Sequence, residues 1–368
     1  MGSSALLYRI ALTRVPNVGP ITSRTLISYC GGAEAVFQAS VRELCKIPGI
    51  NQVTARAIQQ PEPLREAERE LTFTDRHDIR VISYLDPDYP ARLRNYPAAP
   101  TLFYYRGEAD LNAVRTIAVV GTRQMKDYGA RHTQRIIAEL QPYAPLVISG
   151  LAFGVDGAAH RQCLAQNLPT LGVMGSGMQH IYPAAHRDLA RRMVEAGGGL
   201  LTEYPSWSSP DREHFPARNR IVAMLSDAIV VIQTARKGGS IITAQMGNEY
   251  KKIVFALPGR ADDSLSDGCN WLIKTDRARL IQSAEDIVHH LKWQQTTDEP
   301  KQARLFADLS LPEQAVIDLL PMEAGQGVSV DEMSYRLQTD ANQLASLLLQ
   351  MECKDLIRAL PGNRYGLA

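Results

Sequence analysis

The stretch LVISGLAFGVDGAAHRQCLAQ, residues 146–166, decides the fold. Leu146–Ser149 is a short apolar run, the pattern of a strand buried on both faces. Residues 150–154 contain two glycines and are typical of a turn, and Val155–Gln166 has helical character. A strand, a glycine turn and a helix in this order predict one unit of a parallel α/β sheet.

The same order of strand and helix recurs across residues 76–293. The predicted strands are Arg80–Tyr84, Leu102–Tyr105, Thr116–Val120, Leu146–Ser149, Thr170–Met174, Leu200–Glu203, Ala228–Ile232 and Ile253–Ala256. The predicted helices are Tyr128–Leu140, Val155–Gln166, Ala184–Ala196, Arg218–Leu225 and Ser240–Lys251. Because parallel strands need crossover connections, we predict an α/β domain with an extended Rossmann-like, doubly wound and mainly parallel sheet.

Residues 1–75 contain two similar segments, VPNVGPITSRTL at Val15–Leu26 and IPGINQVTARAI at Ile47–Ile58. Each has the pattern of a helix-hairpin-helix unit, in which a glycine tightens the turn. The next helix would point free N–H groups outward, where they suit phosphate. The second copy has a single basic residue, Arg56. We therefore predict a helix-hairpin-helix (SAM-like) domain, with DNA binding and protein packing as equal alternatives.

Residues 294–310 are polar and irregular, which predicts a linker. Residues 311–368 have the element order of a winged-helix domain: three helices and then a hairpin. The predicted helices are Pro312–Leu320, Val330–Leu337 and Asp340–Met351, and the hairpin pairs Asp355–Arg358 with Arg364–Leu367.

The C-terminal part is acidic, with 6 basic and 11 acidic residues in 296–368. The helix in the position of a recognition helix, Asp340–Glu352, has no Lys or Arg. Reading a DNA groove needs cations that neutralise phosphates. We therefore expect this domain to contact protein and not to bind duplex DNA strongly.

The whole chain of 368 residues has 40 basic and 39 acidic residues, a composition typical of a soluble globular protein. No apolar run reaches the ~18 residues of a membrane helix, and Arg9 and Arg14 interrupt the N-terminal apolar stretch, which argues against a signal peptide. The widely spaced cysteines predict free thiols and a cytoplasmic location. They are Cys30, Cys45, Cys163, Cys269 and Cys353.

Four predicted strands run into glycine-containing turns. The turns are Gly121–Gln124, residues 150–160, Gly175–Pro183 and Thr234–Ser240. Ligands of open α/β sheets bind beyond the carboxyl ends of the strands, and such turns offer backbone N–H groups and helix dipoles to anions. Four turns along one edge suit a polyanion better than one phosphate.

Basic and aromatic residues accompany these turns. The basic ones are Arg123, Arg218, Arg220, Arg236 and Lys237, and the aromatic ones, read as loop residues, are Phe153, Tyr182 and Phe215. Stacking on an unpaired base contributes ~1–3 kcal/mol per aromatic side chain. For each aromatic residue, packing in the core or at its rim is the alternative, whereas anion contact is favoured for Arg123, Arg236 and Lys237.

Familiar catalytic and cofactor patterns are missing. There is no P-loop, no dinucleotide fingerprint and no nucleophile elbow around Ser176, so no cofactor is predicted. Asp156 and His160 lie four residues apart and are expected to cap and brace a turn, since no third metal ligand accompanies them. Glu203 ends a predicted strand. It would act either as a general base or as a residue that orders the arginines.

Several motifs together resemble the DNA-processing protein A (DprA/Smf) family. They cover about residues 80–290, in order, and comprise Gly121–Arg123, Ser149–His160, Gly175–Pro183, Phe215–Arg220, Lys237–Ser240, Ala256–Gly259 and Gly268–Asn270. Helix-hairpin-helix and winged-helix regions also flank this core in that family.

The resemblance implies a homodimeric, non-enzymatic bacterial protein that binds single-stranded DNA. Such a protein protects incoming strands in natural transformation and helps load the RecA recombinase. Arg123 and Lys237 would contact phosphates. With the turn residues, the predicted binding set is Gly121, Arg123, Ser149, Gly150, Phe153, Gly175, Gly177, Phe215, Arg218, Asn219, Arg220, Arg236, Lys237, Gly238, Gly239 and Ser240.

Two other functions remain open at this point. A nucleotide-processing hydrolase of the phosphoribohydrolase type would use Gly238, Gly239 and Glu249 or Glu203. Alternatively, the basic edge is a docking face for an acidic protein. For dimerisation, the candidate surfaces are the helix after Ser240 and the strand Ile253–Leu257.

Overall fold

The computed structural model describes residues 3–295, 310–320, 327–337, 339–354, 356–360 and 364–367. The chain forms two compact units, Met1–Gln295 and Thr296–Ala368.

The first unit is built on a nine-stranded sheet in the order β1-β2-β6-β5-β4-β3-β7-β8-β9. Its strands are β1 (Arg80–Ser83), β2 (Leu102–Gly107), β3 (Thr116–Val120), β4 (Leu146–Ser149), β5 (Thr170–Met174), β6 (Gly199–Thr202), β7 (Ala228–Val231), β8 (Ile253–Ala256) and β9 (Arg279–Leu280). Strand β2 runs antiparallel to β1 and β6, and the other pairs are parallel. The predicted α/β class and mainly parallel sheet are confirmed.

The helices of this unit fall into two groups. The N-terminal helices are α1 (Ser3–Arg14), α2 (Pro20–Cys30), α3 (Ala33–Gln38), α4 (Val41–Leu44), α5 (Gln52–Ile58) and α6 (Glu62–Arg76). Those between and after the strands are α7 (Ala91–Arg94), α8 (Asp127–Leu140), α9 (Val155–Ala165), α10 (Arg187–Glu195), α11 (His214–Leu225), α12 (Gly239–Glu249), α13 (Asp267–Lys274) and α14 (Ala284–Leu291). Short 3-10 turns lie at Gln141–Tyr143 and Ala184–His186.

Helices cover both faces of the sheet. In β3, Ile117 and Val119 belong to the core shared with α8, α9 and α14. Ala118 and Val120 belong to the core shared with α11, α12 and α13. Successive residues of a strand point to opposite faces, so every position of β3 is buried. This explains why its sequence is apolar without alternation.

The structure differs from the sequence prediction in several elements. Helix α11 begins at His214, four residues before the predicted start at Arg218. Phe215 therefore lies in the first turn of a helix, and its assignment to a loop was wrong. Helices α7, α13 and α14 and strand β9 were not predicted. Strand β9 has two residues, both exposed, so no burial pattern marks it.

The two N-terminal hairpins have the same turn geometry. Val18 N–H donates to Val15 O at 3.2 Å, and Ile50 N–H donates to Ile47 O at 3.1 Å. The left-handed position is Gly49 in the second copy, with φ 82°, but Asn17 in the first, with φ 64°. Asn tolerates this conformation. Glycine thus tightens the second turn as predicted, while in the first Gly19 is the N-cap of α2.

Helices α1 and α6 pack against β1 and β2 through apolar side chains that include Ile10, Ala67 and Tyr104. Glu70 of α6 is 1% exposed. Its carboxylate accepts hydrogen bonds from Ser206 N–H at 2.9 and 3.0 Å and from Ser206 Oγ–H at 2.8 Å. Burial raises the pKa of Glu70, although these hydrogen bonds oppose the change. Helix α6 is thereby attached to the segment that follows β6.

The second unit contains α15 (Leu311–Ile317), α16 (Val330–Leu337) and α17 (Ala341–Cys353) and the strands β10 (Val328–Ser329), β11 (Ile357–Leu360) and β12 (Arg364–Leu367). The strands pair antiparallel in the order β10-β12-β11. Val316, Met333, Leu344 and Leu348 contribute to its core. The described elements have the predicted winged-helix order, with β10 as an addition. Most of the predicted linker, residues 296–309, lies outside the described residues.

Glu70→Ala is expected to lower the free energy of unfolding by about 2–4 kcal/mol, because two buried donors of Ser206 lose their acceptor. Urea unfolding followed by tryptophan fluorescence measures this, since Trp207 is adjacent and lies under the guanidinium of Arg69. Glu68→Ala on the exposed side of the same helix is the control. Equal stability of the two variants would contradict the role assigned to Glu70.

Candidate nucleic-acid interface

A cavity of about 610 Å³ opens at the carboxyl edge of the sheet, beside β3 and β7. These two strands are neighbours. From β3 the chain continues to β4 on one side, whereas from β7 it continues to β8 on the other. The connections diverge at such a switch point and leave a crevice between them.

The turns after β3, β4 and β7 and the start of α11 line this cavity. It brings together many of the residues predicted from sequence: Gly121, Arg123, Gly150, Phe215, Arg218, Asn219, Gly238, Gly239 and Ser240. Asp156 and Tyr182 also line it. Three of the four predicted glycine turns therefore bring glycines to one site, and the fourth contributes Tyr182.

The glycines of the fourth turn, after β5, are covered by protein. A Cβ atom on Gly175 would lie 3.0 Å from the ring of Phe215, so the ring packs directly on this glycine. The N–H of Gly177 donates to Ser208 O at 2.9 Å, and the Gly177 backbone packs against Pro205 and Ser206. The predicted row of four open glycine turns is thus wrong in this respect: three turns present glycines to the cavity, whereas the fourth has its glycines buried and contributes the Tyr182 ring.

Ser149, Phe153, Arg236 and Lys237 do not line the cavity. The hydroxyl of Ser149 is buried and donates to Val119 O at 2.6 Å. Phe153 is 47% exposed. The guanidinium of Arg236 lies 5.4 Å from the Trp271 ring centre. Lys237 is exposed in the same turn as Gly238, so its ammonium is available to a phosphate near the cavity.

Arg218 lies at the inner end of the cavity and is 4% exposed. Its Nη1 donates to Gly150 O at 2.7 Å, while its buried Nε has no hydrogen-bond partner within the described part of the chain. A Cβ atom on Gly150 would lie 2.5 Å from Nη2, so only glycine admits this approach. Burial lowers the pKa of Arg218 to about 10, which leaves it protonated at neutral pH.

Asp156 provides a carboxylate at the same depth. Its Oδ2 accepts a hydrogen bond from Gly150 N–H at 3.2 Å. Burial raises the pKa of Asp156, and the nearby Arg218 acts in the opposite direction. The deep end of the cavity therefore holds one cation and one partly compensating carboxylate.

The N-terminus of α12 faces the cavity without a side-chain cap. The N-cap residue is Gly238, and the hydroxyl of Ser240 is turned away, since it donates to Thr234 Oγ1 at 2.7 Å. A Cβ atom on Gly239 would meet nothing within 4 Å. Uncapped first-turn N–H groups and the positive end of the helix dipole attract anions.

The two remaining arginines differ in their surroundings. Arg123 is exposed, and its guanidinium lies 5.0 Å from the Phe215 ring centre. Arg220 instead forms an ion pair with Glu203, at 2.6 and 2.7 Å. This pair agrees with the alternative in which Glu203 orders an arginine. The negative charge of Glu203 also partly neutralises Arg220, whose contact with DNA stays a prediction.

Asp156 and His160 do not form a joint site. His160 is buried, and its Nδ1–H donates to Thr170 Oγ1 at 2.7 Å, because the Thr170 hydroxyl itself donates to Val147 O. Asp156 braces the turn after β4 through Gly150, as expected, whereas His160 binds Thr170 of β5 and not this turn. Within the described ranges there is no group of three or more side chains suited to hold a metal.

Thr122, Arg212 and Ile242 are among the lining residues that the sequence did not predict. Thr122 stands between two predicted residues, and Arg212 is an exposed cation three residues before Phe215. Ile242 is 36% exposed on the first turn of α12, where an apolar residue carries no sequence signal for a binding role. Within the described part of the chain, no helix has the length and apolar character to cross a membrane.

Comparison with known families places this site in context. The model of the family "DNA recombination-mediator protein A" matches residues 80–292, and the model of the "DprA winged helix domain" matches residues 299–363. The chain belongs to the DNA recombination-mediator protein A family. The family match covers the strands and turns that form the cavity.

Relatives and solved structures agree with this membership. Protein Smf of Synechocystis is 34% identical over 299 residues, covering 79% of this chain and 74% of the relative. The X-ray structure of DNA processing protein A from Streptococcus pneumoniae has a TM-score of 0.67 at 30% identity, covering 78% of this chain and 98% of that one. A structure concerning the single-stranded DNA binding mode of the Helicobacter pylori protein has a TM-score of 0.53 at 27% identity, covering 59% and 97%.

His160 gives the fold a pH dependence. Burial lowers its pKa from 6.5 to about 3 in the folded state. The unfolded state therefore takes up a proton first, and stability is lost as pH falls below 6.5. At about pH 4.5 the unfolding free energy has fallen by about 2–3 kcal/mol from this cause.

In His160→Asn, the side-chain amide keeps a donor for Thr170 and removes the titration. The difference in unfolding free energy between wild type and variant should therefore shrink from pH 7 towards pH 4.5 by about that amount. Urea unfolding at several pH values measures it. His77→Asn, at an exposed position, is the control. If the unfolding free energies of the two variants depend on pH in the same way, the pH dependence does not come from His160.

Proposed function

We propose that the first unit binds single-stranded DNA at the switch-point cavity and holds the strand without a chemical step. The observation that carries this proposal is the meeting of Arg123, Arg218 and the uncapped α12 N-terminus in one cavity. Guanidinium groups and helix N-termini are the groups that proteins use for nucleic-acid phosphates.

Aromatic side chains at the cavity favour an unpaired strand over a duplex. The rings of Tyr182 and Phe215 lie 5.5 Å apart, and both line the cavity. Phe153 stands exposed after β4, with its ring edge-on to His186. Ring faces bind the faces of bases, which are accessible only when the bases are unstacked and unpaired. The single-stranded DNA binding of the Helicobacter pylori relative supports the same assignment.

The hydrolase alternative has no specific support. Gly239 and Glu249 stand at opposite ends of α12, about 15 Å apart at 1.5 Å per residue. Glu203 is occupied by Arg220. Neither carboxylate lines the cavity.

We also propose that the protein acts as a homodimer that protects strands and delivers them to the RecA recombinase. This rests on the family resemblance. For the dimer contact, β8 is excluded because it lies between β7 and β9 and Val254, Phe255 and Ala256 are buried. Helix α12 remains as the candidate surface.

Gly239→Asp is expected to weaken binding of oligothymidine about tenfold, because it places a negative charge where the phosphate would lie. The protein has room for the side chain, and an acidic residue at a helix N-terminus does not destabilise the helix. Gly239→Asn, with the same shape and no charge, is the matched control. Fluorescence anisotropy at several salt concentrations measures affinity, and log K should fall with log salt by ~0.7 per neutralised phosphate.

Equal affinity of the Asp and Asn variants would show that phosphate does not approach α12. An affinity independent of salt would contradict phosphate binding altogether. Equal affinity for single and double strands would instead favour a general basic docking face.

For the second unit we propose a role in protein contact, since residues 296–368 carry 6 basic and 11 acidic residues. Removal of residues 296–368 should leave the affinity for duplex DNA unchanged within about twofold, because this unit has few cations for phosphates. Gel shifts at physiological salt compare the two proteins. A clear loss of duplex binding in the shortened protein would disprove the charge argument.

A further inference from the structure

We propose that the cavity takes a terminal phosphomonoester, so that the protein holds the phosphorylated end of a strand, or a single nucleotide, in preference to the interior of a strand. This inference rests on the proposed function, because it concerns the same cavity. Two observations support it: the protein closes or disfavours the path of a strand on both sides of the cavity, and several positive groups converge inside the cavity.

Towards β5 the edge is closed to a phosphate backbone. The ring of Phe215 packs on Gly175, and the N–H of Gly177 is used by Ser208 O. The segment that closes this side is itself held in place, since Ser206 is bound by the buried Glu70. A strand that extended along the edge in this direction would meet the Phe215 ring and a buried backbone.

Towards β8 the loop that follows this strand, residues 260–263, offers no net positive charge. Beyond the end of β8, Arg260 is paired with Asp262 at 2.8 Å. Lys126 is paired with Asp263 at 2.7 Å. Asp127 adds a further carboxylate to this surface. Phosphates of a continuing strand would meet carboxylates here, which disfavours this path.

Between these limits, several positive groups converge on one place. Arg123, Arg218 and the N-terminus of α12 all contribute to the cavity, and exposed Arg212 stands at its lining. Asp156 offsets part of the charge of Arg218. An internal phosphodiester carries one negative charge, whereas a phosphomonoester carries about −1.5 to −2 at pH 7. The positive groups exceed what one negative charge requires, so the cavity fits a terminal phosphate better than an internal one.

The buried Nε of Arg218 supports a ligand at the deep end. This atom has no hydrogen-bond partner within the described residues, and Arg218 is 4% exposed. A buried donor without a partner is costly. A terminal phosphate has three non-bridging oxygens and can reach several donors at once.

The test compares one length of oligothymidine in three forms: with a 5′-phosphate, with a 3′-phosphate, and with hydroxyls at both ends. We expect one phosphorylated form to bind about five- to tenfold more tightly than the hydroxyl form, at low ionic strength where an extra charge counts most. The two phosphorylated oligomers have equal charge, so a difference between them identifies the preferred end.

A competition experiment distinguishes the two possible ligands, the phosphorylated end of a strand and a single nucleotide. Thymidine 5′-monophosphate and thymidine 3′-monophosphate are titrated against the bound hydroxyl oligomer, with thymidine as the uncharged control. Displacement by one monophosphate but not by thymidine supports a nucleotide pocket. If only phosphorylated oligomers compete, the ligand is a strand end.

Arg123→Gln should reduce the preference for the phosphorylated form to less than about twofold, because the side chain loses its charge at the cavity. Arg65→Gln, at an exposed position of α6, is the matched control and should keep the preference. Thermal melting of both variants verifies folding. Equal binding of all three wild-type oligomers overturns this inference while leaving the proposed function intact, whereas absence of binding by any oligomer overturns both.

Discussion

Burial of a parallel sheet on both faces is the constraint on which the rest of this structure depends. Strands such as β3 and β4 are covered by helices on each side, so their side chains serve the core. Backbone groups and turns at the strand ends are what remains accessible. Where β3 and β7 send the chain in opposite directions, the helices separate and the ends become a cavity. Binding is therefore confined to this edge by packing.

Close backbone approach lets this edge hold charge. Gly150 allows the guanidinium of Arg218 to reach its carbonyl oxygen, and the same residue donates its N–H to Asp156. A buried cation and carboxylate are costly to desolvate, and they are retained where hydrogen bonds and mutual attraction offset that cost. The arrangement keeps a positive group inside a low-dielectric site, where it acts on a ligand with little screening by water.

The N-terminal helices also contribute to the site, although they lie outside it. Glu70 binds Ser206, and the segment after Ser206 leads to Arg212 and Phe215 at the cavity. Trp207, under Arg14 and Arg69, strengthens the same connection. A change in the packing of α6 would thus be felt at the wall of the proposed DNA site.

The sequence by itself determined the class of fold and many of the residues that line the cavity. Apolar runs such as 116–120 and 146–149 matched the observed strands, because strands buried on both faces leave an unbroken apolar signature. The glycine turns marked Gly121, Gly150 and Gly238. At these positions neighbouring atoms approach the backbone so closely that a Cβ atom would clash with them. Only the tertiary structure decided which charges are free. That Arg220 is paired with Glu203, that Phe215 covers Gly175, and that acids follow β8 all depend on residues distant in sequence. Local patterns report backbone geometry and burial, whereas pairing and blocking arise when the chain is folded.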